Sequence, residues 1–195
     1  ARHMEASRDL GEAAGLPQHP YRWRVTMARL GRADGDLDGA LDLLAEAEPL
    51  YNTDYSPRVR PVAALRARVH LARGDLDAAE AWVQQRGLTA ADELTYLQEF
   101  EHITLARTLI ARHVVAGDLG ALEAALGLLD RLLGAAEAGG RNGSAIEILV
   151  LRAAALQARG DLPDATAALR DALARAEPEG YVRIFLHAGP AVPAL

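Results

Sequence analysis

The tripeptide Gly-Asp-Leu occurs four times, at Gly35-Asp36-Leu37, Gly74-Asp75-Leu76, Gly117-Asp118-Leu119 and Gly160-Asp161-Leu162, each time after an apolar, alanine-punctuated stretch. The glycines stand 39, 43 and 43 residues apart. Periods of roughly 34 to 47 residues belong to solenoids made by stacking helix-turn-helix units. Each copy has a local logic: Gly closes a helix in the left-handed conformation, and Asp is a strong N-cap for the helix that follows. One short turn therefore joins two antiparallel helices, four times over.

Around each turn a small or apolar residue recurs twelve positions apart, in the pairs Ala28/Ala40, Ala67/Ala79, Ile110/Leu122 and Ala153/Ala165. A residue seven before the Gly and one five after it face each other across the hairpin, where a methyl group lets two backbones approach closely. This spacing resembles the tetratricopeptide pattern, although most of that family's aromatic positions are missing and the period is longer. The expected fold is all-α: a tetratricopeptide-like right-handed superhelix of about four antiparallel helix hairpins plus a C-terminal partial hairpin. A composition of 50% apolar, 25% charged and 5% aromatic residues suits an Ala/Leu-rich helical chain. The core of such a stack is quasi-linear, each hairpin burying its stripe against its neighbours.

Along the chain, the first hairpin is expected at about Tyr21 to Ala33 and Asp36 to Leu50, entered through Pro17 and Pro20. A turn-rich loop from Asn52 to Pro57 leads to the second, about Pro61 to Arg73 and Asp75 to Arg86. Thr89 with Asp92 reads as a capping box opening a long helix to about Ala116, which would stretch the period, with its partner from Asp118 to about Glu137. Gly139 to Gly143 breaks the chain, and Ser144 with Glu147 reads as the cap of a fourth hairpin ending near Ala176. Residues 1–4 read as a cloning scar ending at a vector-derived Met, 5–177 as the helical repeat domain, and 178–195 as the truncated start of a further hairpin stopped by Pro190 and Pro193. In that tail Val182, Phe185 and Leu186 are expected to pack on the preceding hairpin.

Several chemistries are excluded outright. The chain has no cysteine, so it has no disulfide, thiolate nucleophile or Cys-ligated metal site. All 21 Lys+Arg residues are Arg, which removes any P-loop or Schiff-base lysine and fits a GC-rich genome. A net charge of −6 argues against nucleic-acid binding by this segment, and no apolar run approaches a membrane span. A soluble, cytoplasmic location is the default expectation. Glu99-x-x-His102 matches half of a di-iron motif, but no second copy exists, so a structural polar patch is expected. His70 and His113 share the position four before the turn, where a His suits the negative end of the helix dipole. Asn142-Gly143-Ser144 fits a glycosylation sequon, without meaning for a bacterial cytosolic protein. No nucleophile with a base, paired carboxylates or metal set can be read, so neither an enzyme nor a cofactor is expected.

In tetratricopeptide-type stacks the first helix of each hairpin lines the concave groove. With Ala28, Ala67, Ile110 and Ala153 as equivalent anchors, the groove-facing residues include Arg22, Arg29, Arg32, Arg68, Arg107 and Gln157. Forked guanidiniums there could take carboxylates, phosphates or sugar hydroxyls. The competing reading is a solvated face, or pairing with neighbouring Asp and Glu. Glu147 could reach the groove as well, but its place three after Ser144 favours capping. Trp23, beside Arg22, is a candidate aromatic wall, while Trp82, Tyr96 and Phe100 read as packing residues.

Four longer strings are more specific: GLPQHPYRWR at 15–24, YLQEFEHITLAR at 96–107, AEAGGRNGSAIEIL at 136–149 and AEPEGYVRIF at 176–185. In this order they resemble the sensor region of the large ATP-binding LuxR-type transcription regulators, the MalT-like activators. The resemblance covers nearly the whole chain after residue 4. It implies a parent protein with a nucleotide-binding switch module, a winged-helix connector, this superhelix and a DNA-binding helix-turn-helix. The superhelix would sense a small, sugar-like inducer or a partner, and would bias the switch module toward its self-associating form. Expected partners are thus an inducer and the parent's other domains. The runner-up is a scaffold holding a peptide or another subunit in its groove.

Overall fold

The structure, a computed structural model, describes residues 2–51 and 59–186. Ten α-helices occur among them: α1 Arg2–Ala13, α2 His19–Asp34, α3 Leu37–Ala47, α4 Val62–Arg73, α5 Leu76–Arg86, α6 Glu99–Ala116, α7 Leu119–Ala138, α8 Asn142–Arg159, α9 Leu162–Ala176 and α10 Arg183–Leu186. No strand is present among the described residues, and none of the helices is long and apolar enough to cross a membrane. The four hairpins are α2/α3, α4/α5, α6/α7 and α8/α9, each joined by one Gly-Asp-Leu turn.

All four turns are built as the sequence dictates. Gly35, Gly74, Gly117 and Gly160 sit at φ of 86°, 83°, 69° and 88°, a region that a Cβ disfavours. The following aspartates accept hydrogen bonds from the backbone N–H three residues on: Asp36 from Gly39 at 3.0 Å, Asp75 from Ala78 at 3.1 Å, Asp118 from Ala121 at 3.0 Å and Asp161 from Asp164 at 3.3 Å. Three turns add the longer Schellman bond, as in Asp75 N–H to the His70 carbonyl at 2.9 Å. The third turn keeps only the Gly117 N–H to His113 carbonyl bond, at 2.7 Å. Seven of the eight anchor residues, Ala28, Ala40, Ala67, Ala79, Leu122, Ala153 and Ala165, are buried. Ile110 is half-buried.

The first helices pack on one another, α4 on α6 and α6 on α8, so α6 lies at the centre of the stack. The main apolar cluster runs through it, from Ala67 and Trp82 to Leu105, Leu129, Ile148 and Ala165. Smaller clusters close the two ends, around Ala28, Leu44 and Val69 on one side and Ile146, Val150 and Ala172 on the other. Ile184 and Phe185 of α10 pack on the second end cluster, as expected for Phe185, whereas Val182 is exposed. The Leu186 side chain, Pro190, Pro193 and the Asn52 to Pro57 loop lie outside the described residues.

The structure corrects three local expectations. First, the sequence reading has no helix before Tyr21, yet α1 runs from Arg2 and packs on α2, which itself begins at His19 with Pro20 in its first turn. Second, Thr89 and Asp92 do not open a helix. The Asp92 carboxylate accepts from the Thr89 N–H at 3.0 Å and the Thr89 hydroxyl at 2.5 Å. Arg131 of α7 donates to the carbonyls of Ala90, at 2.6 Å, and Asp92. Residues 90–92 form a turn rather than a helix, and α6 starts only at Glu99, behind a 3₁₀ turn at Tyr96–Gln98. The long interval between the second and third turns therefore includes a pinned connection. Third, Ser144 is not an N-cap: α8 begins at Asn142 after Arg141. The Ser144 hydroxyl donates instead to Glu99 at 2.5 Å.

Candidate functional site

Because α6 is enclosed on most sides, its first two turns carry polar residues that need partners inside the protein. Glu99 accepts from Arg141 Nε at 2.7 Å as well as from Ser144. Glu101, 2% exposed, takes both prongs of Arg86 at 2.8 and 3.1 Å. His102 is fully buried, with Nδ1 3.1 Å from the Gln98 carbonyl and Nε2 3.2 Å from Asp92. Glu99 and His102 thus serve different neighbours. Among the described residues no group of three or more His, Asp and Glu is arranged to hold a metal ion. The repeat-equivalent histidines tie off their own turns, His70 Nδ1 lying 3.0 Å from Asp75 and His113 Nδ1 3.2 Å from the Asp118 carbonyl.

One cluster joins three hairpins. Arg68, on α4, has a side chain only 9% exposed. Its Nε donates to Thr104 Oγ1 at 2.7 Å, Nη2 to the Phe100 carbonyl at 3.4 Å, and Nη1 to Glu147 Oε1 at 2.7 Å. The guanidinium carbon sits 3.7 Å from the centroid of the Phe100 ring, which Arg60 also approaches at 5.5 Å. The Thr104 hydroxyl in turn donates a hydrogen bond to the Phe100 carbonyl at 2.8 Å. Arg107, one turn further along α6, donates Nη2 to the same Glu147 oxygen at 2.9 Å. Helices α4, α6 and α8 are therefore bound through one carboxylate, whose side chain is 18% exposed.

Electrostatics sharpen this arrangement. Burial pushes the Glu147 carboxyl upward, but Arg68 and Arg107, with Arg60 behind them, outweigh burial and hold it at about 2. Burial and the neighbouring Arg107 and Arg32 pull Arg68 down to about 9 despite Glu147. The two shifts are consistent with a charged pair at neutral pH, since guanidinium stays protonated there. Arg32, on α2, is lowered by burial and by Arg107 and Arg29, with Glu147 opposing. Four first helices thus send charge to one place, and arginine is in excess.

A depressed carboxyl contributes stability above its unfolded value and loses it as pH falls through its folded value. For Glu147 the window runs from the ordinary 4.5 down to about 2, and the contribution is about 3 kcal/mol. Urea denaturation of wild type and Glu147→Gln is expected to differ by this amount at pH 7, with the gap closing as pH drops from 4.5 toward 2.5. A gap independent of pH would contradict the assignment.

Of the residues picked from the sequence, Arg68 and Arg107 meet at Glu147 and Arg32 feels both Arg107 and Glu147, whereas Arg29 is exposed and acts on Arg32. Arg22 is exposed on α2. Trp23 faces α1, with Arg8 5.6 Å above its ring. Gln157 stands about 15 Å beyond Glu147 along α8, and its Oε1 is buried without a hydrogen-bond partner. The sequence reading gave Glu147 a capping role, and the structure overturns it: α8 starts too early, and two arginines claim the carboxylate. The signal was in the repeat register. Glu147 lies six before its anchor, as Arg22 and Thr104 do before theirs. Phe100 was read as packing; it is the shelf on which Arg68 rests.

Two shallow depressions lie elsewhere. One, of about 500 Å³, is bordered by Leu10, Gly11, Leu16 and His19, and one of about 350 Å³ by Ala136, Arg141, Asn142 and Arg175. Neither includes the Arg68–Glu147 cluster.

Repeated helical hairpins, capped by Gly-Asp turns and stacked through their first helices, define a tetratricopeptide-type repeat domain. A family model described as the MalT-like TPR region matches residues 1–195, and the chain belongs to that family. Searches of curated proteins and of solved structures found no match.

Proposed function

We propose that this domain is the signal-receiving superhelix of a MalT-like LuxR-family transcription regulator, acting by conformational switching rather than catalysis. The observation that carries the proposal is the convergence of α2, α4, α6 and α8 on the Arg68–Glu147–Arg107 cluster. A ligand bound there touches several repeats at once, so it favours one relative arrangement of hairpins by its differential affinity for that arrangement. Glu147 Oε2 receives no hydrogen bond from a described residue, which suits a ligand hydroxyl. The parent's nucleotide-binding and DNA-binding modules would read out the change.

The test is a thermal shift of the domain against a metabolite panel weighted to mono- and oligosaccharides, with Arg29→Ala as control. Stabilisation that rises with ligand concentration and is lost in the variant is the expected result. An unchanged Tm across the panel, together with capture of a peptide or subunit by the groove, would favour a scaffold instead.

A further inference from the structure

We infer that hairpin α2/α3, with α1 on its flank, is a hinged arm that pivots about the α3–α4 seam against a rigid block formed by the other three hairpins. The inference goes beyond the sensing proposal and stands without it, because the hinge needs no ligand.

Neighbouring hairpins are joined in two different ways. At the second and third junctions the incoming first helix packs on both helices of the hairpin before it, α6 on α4 and α5, and α8 on α6 and α7. At the first junction α4 packs on α3, and among the described residues it has no comparable packing on α2. Helix α2 is held instead by α1, by α3 and by the 3₁₀ turn Glu48–Leu50. The apolar core divides at the same place. Helix α4 gives Val62, Leu65 and Val69 to the cluster of Ala28, Ala40 and Leu44, and gives Ala64 and Ala67 to the main cluster. The two clusters share no residue.

The polar joints repeat this contrast. Hairpins two to four are cross-linked by Arg86–Glu101, Arg141–Glu99 and Arg68–Glu147, where the carboxylate side chains are 3%, 9% and 18% exposed. Separating such a pair strands a charge inside the protein, so these joints resist movement. Hairpin one is tied to α4 by Arg73–Asp38 at 2.6 Å and Arg66–Glu48 at 3.3 Å, with carboxylate side chains 81% and 49% exposed. Exposed pairs of this kind hold weakly. Asp38 lies in the first turn of α3 and Glu48 just past its end, about 15 Å apart, so the two pairs mark a line along the seam. A rotation about that line swings α2 while breaking neither pair, which is the geometry of a hinge. Because Arg32 of α2 feels Arg107 and Glu147, the swing alters the groove beside the buried cluster.

The chain has no cysteine, so introduced cysteines take spin labels at the chosen sites alone. Ala33 of α2, Ala81 of α5 and Ala167 of α9 are exposed. The experiment measures dipolar distance distributions in the full chain for Ala33→Cys with Ala167→Cys and for Ala81→Cys with Ala167→Cys, and follows amide exchange in both. The α2–α9 distribution is expected to be about twice as wide as the α5–α9 distribution or wider, while α2 and α3 keep their amide protection. Equal widths overturn the hinge. So does a wide α2–α9 distribution accompanied by loss of protection in α2 and α3, which would mean that hairpin one unfolds rather than turns.

Discussion

Replacing Glu147 by Gln is expected to destabilise the domain by about 3 kcal/mol, and by Ala by about 3–5 kcal/mol, read from urea denaturation at neutral pH. Gln keeps an acceptor of similar shape, so its effect isolates the charge. The penalty comes from what is left behind: Arg68 and Arg107, mostly withdrawn from water, would lose the carboxylate they share while still facing each other and Arg32. Breaking one side of a buried pair is costly for this reason, whereas replacing both sides with apolar residues need not be. The double variant Arg68→Met with Glu147→Leu is therefore expected to be more stable than Glu147→Ala alone. A single variant within 1 kcal/mol of wild type would mean that solvent already neutralises the cluster.

The second large effect concerns the hairpin anchors. Leu122→Ala is expected to lose about 2–5 kcal/mol, because Leu122 is fully buried and its removal leaves a cavity in the main core. At the equivalent position of the next hairpin, Ala165→Leu is expected to lose about 1–3 kcal/mol or more by overpacking. Ala165 is also fully buried, and its partner across the turn is Ala153. Opposite substitutions at equivalent positions both hurt because hairpin three is spaced by Ile and Leu, and hairpin four by two methyl groups. Denaturation midpoints of the two variants check this. Free acceptance of Leu at 165 would break the twelve-residue register.

The hairpin turns and anchors were legible because each depends on local rules: a glycine at positive φ, an aspartate three residues before a free N–H, and a methyl where backbones meet. The start of α6 was not, since Thr89 and Asp92 obey the capping pattern and are diverted by Arg131, a residue nearly forty positions away. Likewise Ser144 and Glu147 have the spacing of a capping box. Tertiary partners on α6 and α4 claimed both side chains, and a spacing rule carries no information about which partner wins. The arginine cluster was partly visible through the repeat register, which picked out Arg32, Arg68 and Arg107 together. Its organising carboxylate was hidden by a competing local explanation, and Trp23 was assigned to the groove because α1 was not foreseen.

Native-state hydrogen exchange on wild type and Glu147→Gln tests most directly whether one carboxylate couples three hairpins. Loss of protection shared by α4, α6 and α8, including amides near Arg68 and Arg107, is the predicted result. Loss confined to α8 around residue 147, with α4 and α6 protected as in wild type, would contradict the coupling on which the sensing proposal depends.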